Sequence, residues 1–349
     1  MFKESQRCKN SLAIQQTCAA LAALANFNKK SMQNILVTGG AGFIGSNLVE
    51  ALLNDSRVGL VRVLDNLATG FKHNLASFKD HPKFEFFEGD IRDFDTCLKA
   101  TESIHLISHQ AALGSVPRSI KDPITTNAVN IDGTLNIFNA AVENKVERVV
   151  FAASSSTYGD SQGLPKVEHI IGKPLSPYAV TKYVNELYAD VFAKTYDFEY
   201  IGLRYFNVYG PKQDPNGAYA AVIPLFFKAA IDGNGPIING DGTNSRDFTY
   251  VDNAVEANIL GLFTENVEAI NQVYNIACGE QTTLNELWQN IKSVTNCYID
   301  ATHGPNRSGD IPHSLASIEK AQSLLKYTGK VKLNEGLIKA FEFYKDKNH

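Results

Sequence analysis

The sequence predicts an α/β protein: a doubly wound parallel sheet with helices on both faces, followed by a smaller mixed α/β lobe. Short β-branched runs alternate with amphipathic helical stretches from Asn34 onward, the pattern of a sheet wrapped by crossover helices. A glycine-rich turn, Gly39-Gly40-Ala41-Gly42-Phe43-Ile44-Gly45, joins the first such run to the first helix. After Tyr205 the alternation fades into loops, short strands and helices, with Pro and Gly clustered at Tyr209-Gly210-Pro211, Asp214 to Gly217, Asp232 to Pro236 and Asn239 to Gly242.

The elements follow in order. Strands are expected over Ile35–Thr38, Leu60–Asp65, Phe84–Glu88, Ile104–Ser108, Arg148–Ala152 and Tyr200–Arg204, and helices over Phe43–Leu53, Thr126–Glu143, Tyr178–Thr195, Thr283–Val294 and Asn334–Tyr344. Residues 32–206 with roughly 236–265 form the expected first domain. Residues 207–235 and 266–349 form the second, and residues 1–31 an extension.

The gross numbers restrict the function classes. With 349 residues, 44% hydrophobic and 20% charged, the chain can bury a substantial core. Lys+Arg 33 against Asp+Glu 37 gives a formal charge of -4, with no basic stripe for a nucleic acid. Five cysteines, an odd number without a CxxC pair, suit reduced thiols in a cytoplasm. The histidines lack metal-ligand spacing, so no metal is expected, and no apolar run is long enough to span a membrane. Lys3, Arg7 and Lys9 precede an apolar stretch loosely like a secretory signal, but Gln15, Gln16 and Thr17 interrupt it. The expectation is an amphipathic or disordered extension, with Met32 as an alternative start.

The glycine turn satisfies G-x-x-G-x-x-G through Gly39, Gly42 and Gly45, and its context matches a dinucleotide site of the Rossmann type. A strand precedes it, and Phe43 and Ile44 open a helix whose amino terminus can seat a pyrophosphate. Asp65 ends the second strand twenty residues past Gly45. Its carboxylate would accept from ribose hydroxyls and repel a 2′-phosphate, favouring NAD over NADP. Asn66 adjoins it, Asp90 and Ile91 follow the third strand where the adenine would lie, and Gln110, Ala111 and Ala112 follow the fourth.

Tyr178 and Lys182 lie four residues apart in Ser176-Pro177-Tyr178-Ala179-Val180-Thr181-Lys182, on one face of a helix that Pro177 suits as its first turn. An ammonium one turn away should stabilise the phenolate and lower the tyrosine pKa. Such a phenolate can take a proton from a hydroxyl while hydride leaves the same carbon. Ser154, Ser155 and Ser156 close the fifth strand at the carboxyl edge of the sheet, where Ser154 can relay that proton.

These segments, with Gln110 to Ser119, Ser154 to Asp160, Leu175 to Asp190, Arg204 to Gly210, Gln213 to Pro224 and Asn239 to Val251, resemble the extended short-chain dehydrogenases/reductases. Within them the chain is most similar to NAD-dependent UDP-N-acetylglucosamine 4-epimerases of bacterial surface-polysaccharide pathways. The resemblance implies interconversion of UDP-GlcNAc and UDP-GalNAc, or of their uronic acids, through a transient 4-keto sugar, in a homodimer packed through the helices at Thr126–Glu143 and Tyr178–Thr195. It implies Ser154, Tyr178 and Lys182 as catalytic residues, with Lys182 also on the nicotinamide ribose. It places Asn207, Ala221, Val222, Asn239, Arg246, Arg307 and Asp310 along the uridine diphosphate, with Ser115, Ser155 and Ser156 also near the substrate. Ser314 stands at a position that gates the sugar, where hexose-only enzymes carry tyrosine; a serine leaves room for an N-acetyl group. A 4,6-dehydratase would use an acid–base pair where Ser155 and Ser156 stand. A decarboxylase, a ketoreductase and an inactive nucleotide-binding module are the other readings.

Overall fold

The computed structural model describes residues 32–217, 220–305 and 311–346. The first half runs β1 (Gln33–Thr38), α1 (Phe43–Leu53), β2 (Val58–Asp65), β3 (Phe84–Glu88), α2 (Phe94–Ala100), β4 (Leu106–His109), α3 (Val116–Lys121), α4 (Pro123–Asn127), α5 (Gly133–Glu143) and β5 (Arg148–Ser154). It continues through α6 (Pro177–Thr195), β6 (Glu199–Tyr205), β7 (Val208–Tyr209), α7 (Val222–Ile231), β8 (Ile237–Asn239), β9 (Ser245–Arg246), β10 (Thr249–Tyr250) and α8 (Val251–Phe263). The last elements are β11 (Gln272–Ile276), β12 (Thr282–Thr283), α9 (Leu284–Thr295), β13 (Thr302–Gly304) and α10 (Leu333–Asp346).

Among the described residues the large sheet has seven strands in the order β11-β6-β5-β4-β1-β2-β3, all parallel. The order in which successive strands are added reverses between β1 and β4, the point where open α/β sheets bind ligands at the carboxyl edge. Alternation along the strands divides the core. Ile35, Val37, Val61, Val63 and Val150 face one side, against α1 and α8, and Leu36, Leu64, Ile107, Val149 and Phe151 face the other, with Phe138 of α5 and Phe192 of α6. The first of these clusters continues into Phe226, Phe227, Trp288, Leu337 and Tyr344, so the later elements share a core with the sheet.

Two expectations need correction. The edge strand β11 belongs to the large sheet, although its residues fall in the span assigned to the second domain; it pairs with β6, about seventy residues earlier, a partner that local pattern does not reveal. The helix expected over Thr126–Glu143 is present and starts earlier, and what needs correction is its uniformity: α4 passes through a π-helical turn at Ala128–Asp132 into α5. Asn130, fully buried in that turn, donates to Leu113 O at 3.2 Å and Thr181 Oγ1 at 3.1 Å and accepts from Leu113 N at 2.8 Å. These partners lie on other elements and leave no trace in local periodicity.

Candidate active site

A cleft of about 840 Å³ opens at the carboxyl ends of the strands. The glycine turn forms one wall. Gly39 has φ +68°, and a Cβ on it would lie 2.7 Å from Ala111 N; a Cβ on Gly45 would lie 2.2 Å from Gly39 O. Both contacts are with backbone, so nothing can swing aside. Gly42 starts α1 with no side-chain cap, leaving the amides of Phe43 and Ile44, both in the cleft lining, to an anionic ligand.

Asp65 ends β2 with Oδ2 accepting from Ala41 N at 2.9 Å and Oδ1 from Leu67 N at 2.8 Å. Burial raises its pKa, and these two amides act against that rise. Each oxygen keeps a lone pair for a ribose hydroxyl. Asn66 donates to Asp90 Oδ2 at 2.8 Å, and the Arg92 guanidinium beside that carboxylate holds its pKa down to about 2. Ile91, Gln110, Ala111 and Ala112 complete this part of the lining. The sequence reading overlooked Asn74 and Gly70. Asn74 donates to Ala41 O at 2.9 Å, and Gly70 lies so close to Ala41 that a Cβ would fall 2.8 Å from its carbonyl carbon. Both clamp the glycine turn from the loop after β2.

Opposite stand Ser154, Tyr178 and Lys182, all lining the cleft. Ser176 caps α6, accepting from Ala179 N at 3.1 Å, and Pro177 takes the first turn. Lys182 is buried and donates from Nζ to Ala152 O at 2.8 Å, so α6 is pinned to β5 beside Ser154. Burial pulls the lysine pKa down to about 8. The tyrosine departs from expectation: burial pushes the Tyr178 phenol up, and the hydroxyl opposing that shift is Ser154 rather than the Lys182 ammonium. Helical spacing sets which face the pair shares, but not how dry that face is. Ser156 donates to Ser154 Oγ at 2.9 Å, fixing the serine from behind, and Ser155 lines the cleft.

Beneath the cleft lies a polar network that the sequence reading missed. His109 bridges Thr38 Oγ1 at 2.7 Å and Thr134 Oγ1 at 2.9 Å, and burial lowers its pKa to about 3, so the ring is neutral. Gln110 Nε2 donates to Ser108 Oγ and Asn258 Oδ1, both at 2.9 Å, while Tyr205 donates to Gln110 Oε1 at 3.1 Å. The run His109-Gln110-Ala111-Ala112 marks one half of this floor; Asn258, on α8, is 148 residues from its partner Gln110.

Of the residues expected on the substrate side, Ser115, Asn207 and Ala221 line the cleft. Ser115 holds φ 108°, a conformation that L-residues rarely adopt, and its hydroxyl accepts from Arg118 N at 3.3 Å. Asn207 has φ 37° and donates from Nδ2 to Asp247 O at 3.0 Å. Val222, Asn239, Arg246, Ser156 and Ser314 are not among the residues lining this cleft. Arg246 donates to Ser245 O at 2.8 Å and Pro312 O at 3.2 Å, and Ser314 N donates to Ser245 O at 3.1 Å. Arg307 and Asp310 lie outside the described residues.

Residues 35–277 match the NAD dependent epimerase/dehydratase family. The chain belongs to that family. It is an isomerase that works with NAD, and the glycine cradle, the uncapped start of α1 and Asp65 fit the cofactor. The UDP-glucose 4-epimerase of Mycolicibacterium smegmatis is 37% identical over 315 residues, 90% of this chain and 99% of that protein. The structure of a UDP-N-acetylglucosamine 4-epimerase from Methanobrevibacter ruminantium M1, in complex with UDP-N-acetylmuramic acid, matches with a TM-score of 0.85 at 38% identity, over 90% of this chain and 99% of that one. The UDP-glucuronic acid 4-epimerase from Bacillus cereus, in complex with UDP-glucuronic acid and NAD, matches with a TM-score of 0.83 at 31% identity, over 90% and 99% of the two chains. No described helix is long and apolar enough to cross a membrane.

Proposed function

We propose that this family member epimerises a UDP-N-acetylhexosamine at C4, interconverting UDP-GlcNAc and UDP-GalNAc or the corresponding uronic acids in the cytoplasm. The observation that carries the chemistry is the meeting of Ser154, Tyr178 and Lys182 in the cleft that also holds the glycine cradle and Asp65. NAD, when bound, supplies the hydride acceptor and donor. Tyr178 Oη takes the proton from the sugar O4 and later gives it back. Ser154 Oγ, held by Ser156, hydrogen-bonds that oxygen and keeps it within reach. Lys182 keeps two donors beyond its bond to Ala152 O for a ribose hydroxyl, and the Ser154 hydroxyl favours the phenolate that burial opposes. Asn207, Ala221, Val222, Asn239, Arg246, Arg307 and Asp310 bind the uridine diphosphate, and Ser115, Ser155 and Ser156 adjoin the sugar. Residues 32–206 and 236–265, with β11, serve the cofactor; 207–235 and the rest of 266–349 serve the substrate.

The acetylated sugar is favoured by Ser314. Its segment is tied to β9 through Ser245, and a serine there takes far less volume than a phenol ring, whose insertion costs about 1–3 kcal/mol of overpacking. The neighbour that acts on UDP-N-acetylglucosamine supports the same reading. A dehydratase would need a second acid–base pair, and Ser155 and Ser156 do not supply one. The functional unit is a homodimer built on the apolar outer stripe of α6, where Val180, Leu187 and Val191 are exposed next to Ile120 and Ile124. Within the helix expected over Thr126–Glu143, Ile137, Phe138, Ala140 and Ala141 are buried in the chain's own core, so only its outer face is open to a second copy. Purified protein incubated separately with UDP-GlcNAc, its 6-carboxylate and UDP-glucose, with products resolved by NMR, tests the reading: an acetylated substrate should be epimerised fastest and without deuterium from solvent at C4. Solvent deuterium at that carbon, or preference for UDP-glucose, would overturn it.

A further inference from the structure

The proposed substrate anchors sit on separate stretches of chain: Asn207 after β6, Arg246 on β9 and Ser314 in the 311–316 segment. One residue reaches the stretches that carry all three: it follows Arg246 in the chain and bonds to Asn207 and to Ala316, two residues past Ser314. Asp247 is fully buried, and its Oδ1 accepts from Cys278 N at 3.0 Å while Oδ2 accepts from Gly279 N at 3.1 Å and Ala316 N at 3.3 Å. Its own carbonyl accepts from the Asn207 side chain at 3.0 Å. On the other side of Ser314, Pro312 O accepts from Ser245 N at 2.9 Å and Arg246 Nη1 at 3.2 Å. The Ser314 segment is therefore fastened to Ser245 at Pro312 and at Ser314 N, and again at Ala316, where the partner is a side chain adjacent to Arg246.

We propose that Asp247 is a positioning residue for substrate specificity, tying the strand that carries Arg246 to the segment that carries Ser314, so that diphosphate anchor and sugar gate keep a fixed spacing. This rests on the reading of the preceding subsection. The choice of residue follows from the donors around it. A carboxylate only accepts and can take all these amides, whereas an asparagine has one acceptor oxygen and would turn an NH₂ toward an N–H. Burial raises the Asp247 pKa to about 6 against the pull of the amides, so the charge is costly here and apolar packing would fill the same space without it. What apolar packing cannot do is set the register of two independent backbone segments.

The test is Asp247→Asn, made in the full chain with its cofactor, with KM and kcat measured for UDP-GlcNAc and UDP-glucose, Kd measured for UDP, and bound NAD assayed. The expected result is a rise of about 10-fold or more in Kd for UDP and in KM for UDP-GlcNAc, from the loss of buried hydrogen bonds. The preference between the two sugars should narrow, with NAD content unchanged. A purely structural role would lower the melting temperature and leave the sugar preference as it was. A folded variant with the wild-type Kd and preference overturns the proposal. Should the variant not fold, hydrogen exchange on the wild type decides: adding UDP-GlcNAc should slow the amides of Gly279 and Ala316 by a common factor, and slowing of one alone overturns it. If the wild type binds no UDP-sugar, the substrate reading falls and this inference with it. If the wild type turns over and the variant matches it, only this inference falls.

Discussion

Tyr178 and Lys182 are both pushed by burial toward their neutral forms, the phenol upward and the ammonium down to about 8. Burial thus opposes the phenolate and the ammonium alike, and removing either half has a distinct signature. Tyr178→Phe should lower turnover by about 10³-fold, within the range for loss of a general base, while bound NAD measured after denaturation stays at the wild-type level; retained turnover would remove Tyr178 from the chemistry. For Lys182 the sign runs through stability. Its folded pKa lies below the unfolded value of 10.5, so between about pH 8 and 10 the unfolded chain binds more protons and stability from this group rises with pH. The penalty at neutral pH is about 3 kcal/mol. Lys182→Met should therefore be more stable than wild type near neutrality in urea titrations, and the gap should shrink as pH rises toward about 10. A gap independent of pH would mean that the ammonium is not held at that cost.

Among elements, the phosphate turn and α1 were the most legible part of the chain. The helix expected over Phe43–Leu53 is the helix observed, because glycines before it and an apolar stripe within it are local signals. Gly45→Ala places a Cβ against Gly39 O at 2.2 Å and Gly40 Cα at 2.8 Å, so the turn must open. Overpacking of this kind costs about 1–3 kcal/mol, which predicts NAD affinity reduced by about 10–100-fold. Fluorescence titration of the variant with NAD measures it; undiminished affinity would detach the turn from the cofactor. The π-turn at Ala128–Asp132 and the floor around Gln110 were not legible, since Asn130 and Asn258 act through partners far away in sequence. The short strands β7, β9, β10 and β12 have two residues each, too few for a period-two pattern to register. Cleft side chains on long regular elements, such as Tyr178 and Lys182 on α6, could be read; distant partners such as Asn258 could not.

For the molecule as a whole, the exposed apolar side chains are unevenly spread. Val180, Leu187 and Val191 follow one stripe of α6, on the side away from Lys182, and Ile124 beside them is 81% exposed. A monomer would leave this stripe in water directly over the catalytic helix, whereas a second copy related by a two-fold axis would cover it with the same stripe. Light scattering should then give twice the 38.3 kDa of one chain. Replacing Leu187 and Val191 together by Asp puts two carboxylates into that seam. The variant should run at the mass of one chain and melt earlier, while its NAD content stays the same because Tyr178 and Lys182 occupy another face of the helix. If the wild type already runs at the mass of one chain at micromolar concentration, the α6 stripe is not a dimer seam. If the double variant remains a dimer, the two-fold contact lies elsewhere on the molecule.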